Sequence, residues 1–158
     1  MPKQRVPIVV NGVPTSPVYD RLTAAREVGR ESTGHAQPYD DEDWDGPLPE
    51  NLSVAPGSAS VEDMIRSIDR GLYVTRLWYV NLTQPHNCGV TGTTRDGVWW
   101  IDRGELAYPL TNLRFDQELI DAFQHVRGVG RERSTLMGFY GGIHRIPALA
   151  LESFRFIG

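Results

Sequence analysis

The sequence has a single cysteine, Cys88. One thiol excludes an internal disulfide framework and fits a reducing compartment. Long apolar runs are also missing, so no stretch reads as a membrane-spanning helix. The opening Met-Pro-Lys-Gln-Arg-Val-Pro-Ile-Val-Val has basic residues but too short an apolar run for a signal peptide. These features lead us to expect a cytoplasmic chain with no membrane association. Positive charge is not in excess: the formal net charge is -4. An acidic balance argues against non-specific nucleic-acid binding, which needs a basic surface.

The local signatures of catalysis are lacking too. Neither H-E-x-x-H nor C-x-x-C occurs, and Ser58, Ser134 and Ser153 lie in no G-x-S-x-G elbow. The histidines are His35, His86, His125 and His144. Only His86 and Cys88 sit close together. A zinc site needs three or four converging ligands, so this pair would require a third from elsewhere. The same two residues are the one candidate for a thiol nucleophile and its base. His125 reads as a helix-surface histidine. Gly138-x-x-Gly141-Gly142 is a glycine-rich turn without a following helix, so it lacks the N-terminus that would hold a phosphate. We therefore assign no catalytic, cofactor or metal residues from the chemistry alone.

What is present is strand. The run from Gly92 to Phe115 carries two turn signals, Asp96-Gly97 and Arg103-Gly104. Between them lies Val98-Trp99-Trp100-Ile101, rich in β-branched and aromatic residues. A three-stranded meander is expected, with strands at Val90–Thr94, Val98–Ile101 and Glu105–Tyr108. Leu72–Val80 is the strongest strand by propensity, and Asn81–Gly89 reads as a loop. Near the start, Asn11-Gly12 predicts a hairpin between Ile8–Val10 and Val13.

Helices are few. Ser60 and Asp63 form a capping-box pattern before Val61, Met64, Ile65 and Ile68, with Gly71 as the stop. Asp116 is expected to cap a second helix, Gln117–Arg127, with Leu119, Ile120, Phe123 and Val126 on its apolar face. A short helix is expected over Arg21–Val28, capped by Asp20 and stopped by Gly29, with Leu22 and Ala25 inward. Arg131–Arg133 reads as a charged loop, and Pro147–Ile157 as a closing strand. The sum is an α+β fold, β-rich, with a mostly antiparallel sheet and two amphipathic helices. At 158 residues we expect a single domain over 1–158, with a mobile acidic loop at 30–49.

Ordered short motifs then carry a family resemblance. They are Arg70-Gly71-Leu72-Tyr73-Val74-Thr75, Asn81, Thr91-Gly92-Thr93-Thr94-Arg95-Asp96-Gly97, Ile101-Asp102-Arg103-Gly104-Glu105 and Pro109-Leu110-Thr111-Asn112-Leu113-Arg114-Phe115. Ser32-Thr33-Gly34-His35 and Pro56-Gly57-Ser58 fit as well. The whole resembles the C-terminal domain of the TldD/PmbA family of zinc metalloproteases, from about Val6 onward. That resemblance implies a β-rich domain working in a paired-subunit, cytoplasmic protease of small or unfolded peptides. It also implies an H-E-x-x-x-H helix and a cysteine ligand in a C-terminal glycine-rich loop. This sequence has no such helix, and Gly138-Phe139-Tyr140-Gly141-Gly142 has no cysteine. The expectation is a non-catalytic partner half, shortened at its N-terminus, with zinc in the partner subunit and none in this chain. The rivals are an interaction module pairing through an open sheet edge, and a hydrolase using His86 and Cys88.

Overall fold

The computed structural model of the chain describes residues 1–37, 46–138 and 141–157. Residues 38–45, the acidic heart of the expected mobile loop, lie outside them. The chain divides into two compact units. One comprises Met1–Ser53 with Thr135–Arg145, the other Val54–Ser134 with Ile146–Gly158.

The first unit opens on the expected hairpin, β1 (Val9–Val10) with β2 (Val13–Pro14), turned by Asn11 and Gly12 at positive φ. Helix α1 (Arg21–Ala24) is a single turn, shorter than the sequence predicts. Asp20 caps it as expected: its side chain accepts from Thr23 N, and Thr23 reciprocates. Ala24 rather than Leu22 or Ala25 faces the interior, beside buried Val18 and Tyr19. One turn has no room for a stripe, so its single inward position takes the smallest side chain.

The second unit contains the five-stranded sheet. Helix α2 (Val61–Arg66) starts at the Ser60–Asp63 capping box and buries Met64. It ends at Ser67, and Gly71 is already inside the next strand. Strand β3 (Arg70–Gln84) runs on into the first part of the expected loop, through Asn81–Gln84. A short 3-10 turn, Pro85–Asn87, leads into β4 (Gly89–Asp102), which pairs antiparallel with β3 throughout. Beyond Arg103-Gly104 follow β5 (Glu105–Leu110) and β6 (Arg114–Glu118). They share the other side of β4: β5 pairs with Val98–Asp102 and β6 with Gly89–Thr93. Strand β9 (Phe156–Ile157) adds to β6.

Asp96-Gly97 is therefore not a hairpin turn. It is a bulge inside β4: the register steps from Val74–Val98 to Arg76–Arg95, so Thr75 alone opposes two residues. Primed hairpin turns and left-handed bulges both use a residue at positive φ, and Asp96 supplies it at 70°. The buried residues of β4 include Val90, Thr94, Val98 and Ile101, and Phe115 of β6 is wholly enclosed. Phe115 stacks at an angle on Phe154, and Phe154 on Phe156, with ring centres 5.5 and 5.2 Å apart.

Asp116 lies in β6 and caps nothing. Helix α3 (Leu119–Gln124) starts later, from Glu118, without a side-chain cap. Its buried residue is Ala122, while Ile120, Phe123 and the following Val126 are exposed. Arg131–Arg133 belongs to β7 (Val126–Met137), which forms a two-stranded sheet with β8 (Ile143–Leu151). A two-stranded ribbon can expose charge on its surface, which is why a charged run suits a strand here. The pairings of β1 with β2 and among β3, β4, β5, β6 and β9 are antiparallel; isolated parallel bridges among the described residues join Ser53 to Arg145 and Ala59 to Gly130. The α+β, β-rich architecture stands, and its helices are short.

Candidate functional site

His86 and Cys88 come to rest in the β3–β4 connection. His86 lies in the 3-10 turn, and Cys88 follows it in the left-handed region, φ 52°. Both are exposed. The Cys88 backbone is used: its carbonyl accepts from Leu119 N at 3.1 Å. Its thiol lies at a turn, whereas a reactive thiolate needs a cationic or helix-N-terminal setting.

The other histidines are occupied structurally. His35 is buried, and its Nδ1 is 2.9 Å from Thr33 Oγ1, which also takes the Tyr19 backbone N–H at 2.7 Å. Ser32-Thr33-Gly34-His35 thus clamps the chain beside Tyr19. Gly34 has φ 78°, and a side chain there would run into the Pro2 carbonyl. His144 Nδ1 accepts from Leu52 N at 3.1 Å. His125 Nδ1 lies 2.9 Å from the Asp121 carbonyl on α3. Among the described residues no three His, Cys, Asp or Glu side chains come together to hold a metal.

A different constellation emerges from the register of β3 and β4. Arg76 and Arg95 are direct cross-strand partners, and Trp78 lies two residues along from Arg76 on the same face. The Arg76 guanidinium sits 4.9 Å from the Trp78 ring centre and that of Arg95 4.6 Å. Asp96, displaced by the bulge, pairs with Arg76 at 2.6 Å and meets Arg95 Nε at 3.7 Å. The three charged side chains are each about half exposed. No single residue in this group is unusual in the sequence. Only the pairing register joins them, and the bulge that sets it is invisible until the long partner strand is known.

With this geometry established, comparison with known proteins decides the family. A family model described as the PmbA/TldA metallopeptidase C-terminal domain matches residues 1–158. The chain belongs to that family. It is 26% identical over 130 residues to the metalloprotease PmbA of Escherichia coli O157:H7, covering 81% of this chain and 26% of that protein. The crystal structure of TldE from Thermococcus kodakarensis superposes with a TM-score of 0.77 at 24% identity, covering 99% of this chain and 34% of that one. A Thermotoga maritima MSB8 protein gives a TM-score of 0.76 at 20% identity, over the same shares. The chain therefore spans about a quarter of the curated relative and about a third of these solved chains.

A metallopeptidase requires a set of metal ligands. The described residues of this chain do not assemble one: the glycine turn near 138–142 has no cysteine, and His86 and Cys88 lack a third donor. In addition, no helix among them is long and apolar enough to cross a membrane.

Proposed function

We propose that this chain is the non-catalytic partner half of a PmbA/TldD-type protease, supporting peptide cleavage by a zinc-bearing homologous subunit in the cytoplasm. The observation that carries this reading is family membership combined with a glycine turn that has no cysteine and described residues that form no ligand set. The chain's own contribution is surface: a broad antiparallel sheet whose outer strand, β3, pairs with β4 alone among the described residues. That free edge also favours the second reading, an interaction module that pairs strands with a partner.

The test is reconstitution. The purified chain should carry less than one zinc per molecule and cleave no unfolded peptide by itself. Added to a zinc-bearing homologous subunit, it should bind and raise peptide cleavage. Stoichiometric zinc that is lost in Cys88→Ser, together with activity of the chain alone, would overturn the proposal in favour of the His86/Cys88 hydrolase. Binding without any change in cleavage would favour the interaction module.

A further inference from the structure

We propose that the Arg76–Trp78–Arg95 face is a recognition site for a peptide carboxylate, taking an acidic side chain flanked by apolar residues. The inference rests on the peptide-handling reading above and names the chemistry of the ligand. Its first support is the placement of two like charges as direct cross-strand partners. Such a pair is destabilising by itself. Here it is held by Trp78, whose ring both guanidinium groups approach within 5 Å, and by Asp96. Cation–π contact fixes the planes of the two forks in advance, so a ligand need not order them.

The charge count gives the valence of the ligand. Two arginines and one aspartate leave one positive charge, which matches one carboxylate. Arg76 is engaged by Asp96 at 2.6 Å, whereas Arg95 meets it only through Nε at 3.7 Å. The terminal amino groups of Arg95 are left in the fork geometry that suits a carboxylate. A polyanion fits poorly, because the chain as a whole carries a net charge of -4.

The surroundings give the rest of the ligand. Trp78 on this face, and Tyr79 and Val80 in the bulge that follows it, are exposed. Tyr79 is 76% exposed, and its φ of 55° is uncommon for a bulky residue. The Asn81 side-chain amide donates to the Tyr79 carbonyl at 2.7 Å and holds that conformation. Apolar and aromatic surface beside a fixed positive charge suits a peptide better than a free small anion.

The test uses the full chain and three probes: a blocked hexapeptide with one glutamate between aromatic residues, the same peptide with glutamine, and acetate. Affinity is measured by calorimetry, and the site is located by NMR shifts of the Trp78 indole N–H. The glutamate peptide should bind about tenfold more tightly than the glutamine peptide, and more weakly as salt rises. Arg95→Gln should remove that preference, while Arg95→Lys, a folding control, should keep part of it. Equal affinities for the two peptides, or an unchanged preference in Arg95→Gln, would overturn the site. Acetate binding as tightly as the glutamate peptide would overturn the peptide assignment. Zinc content and cleavage, which test the partner-half reading, play no part in these measurements.

Discussion

The hydroxyl of Thr75 lies 3.1 Å from the carbonyl oxygen of Gly97 and 3.0 Å from that of Arg95. It reaches across the bulge and ties both of its flanks to β3. Replacing it with valine keeps the shape and the β-branch but removes the donor. Thr75→Val should therefore lower stability by about 1 kcal/mol, the usual net worth of one hydrogen bond. Urea denaturation of the variant beside Thr75→Ser provides the check. Equal midpoints for wild type and Thr75→Val would mean that backbone pairing holds the bulge unaided.

Gly92 is buried opposite the second irregularity of the ladder, between Trp78 and Asn81 of β3. A Cβ there would stand 2.7 Å from the Phe115 ring and 2.8 Å from the Trp78 carbonyl oxygen. Neither neighbour yields easily: Phe115 is fully enclosed, and the other atom is backbone. Overpacking of this kind costs about 1–3 kcal/mol. Gly92→Ala should shift the denaturation midpoint accordingly, whereas Gly12→Ala, with open space around it, should act only through its positive φ. A Gly92→Ala protein as stable as wild type would contradict the close packing of Phe115.

The two capping boxes predict the response to acid. Burial raises the Asp20 carboxyl's pKa and is the largest influence on it, but the Thr23 hydroxyl and the backbone N–H groups of Thr23 and Leu22 together hold it below the ordinary value. Asp63 is likewise lowered, first by the Ser60 hydroxyl and then by the Ser60 backbone. A carboxyl whose pKa is lower folded than unfolded stabilises the fold above its unfolded pKa. That contribution is lost as pH falls through the folded value. Stability should thus drop below the ordinary carboxylate range, and the drop should be shallower in Asp20→Asn. Ser60→Ala should cost about 1 kcal/mol at neutral pH. Thermal melts from neutral to acid pH check both, and an identical acid slope in Asp20→Asn would exclude this source.

Much of the local structure is legible in the residues. Asn11-Gly12, Arg103-Gly104 and the Ser60–Asp63 box each act through neighbours within a few positions, and each appears as expected. Asp96-Gly97 has the same turn chemistry, yet forms a bulge because β3 is long enough to pair on both sides of it. Length of a partner strand is non-local information. Asp116 has the sequence setting of a cap because a helical apolar pattern follows, but pairing with β4 carries the strand on to Glu118. The Arg76–Arg95 face is hidden for the same reason: its members lie well apart in the chain and meet only through register.

The last prediction concerns association. Strand β3 is fifteen residues long and pairs only with β4 among the described residues, so its other edge offers unpaired backbone groups. Leu77, Trp78, Tyr79, Val80 and Leu82 are exposed along it. Long apolar edges recruit further strands. The bulge at Tyr79–Val80 interrupts that edge, leaving Arg70–Trp78 as the longer regular segment. We therefore expect the chain to self-associate at concentrations on the order of those used in solution scattering, tens of micromolar, where weak edge pairing becomes populated. Leu82→Lys or Val80→Lys should shift the population toward monomer, because a charged side chain at an edge opposes a second strand. Neither should lower the melting temperature much, since both positions are exposed. Light scattering coupled to gel filtration reads the mass, and hydrogen exchange of Arg70–Trp78 reads the edge itself. A monomer at every concentration, with rapid exchange of the outward-facing amides, would show that the Tyr79 bulge alone is enough to keep the edge unpaired.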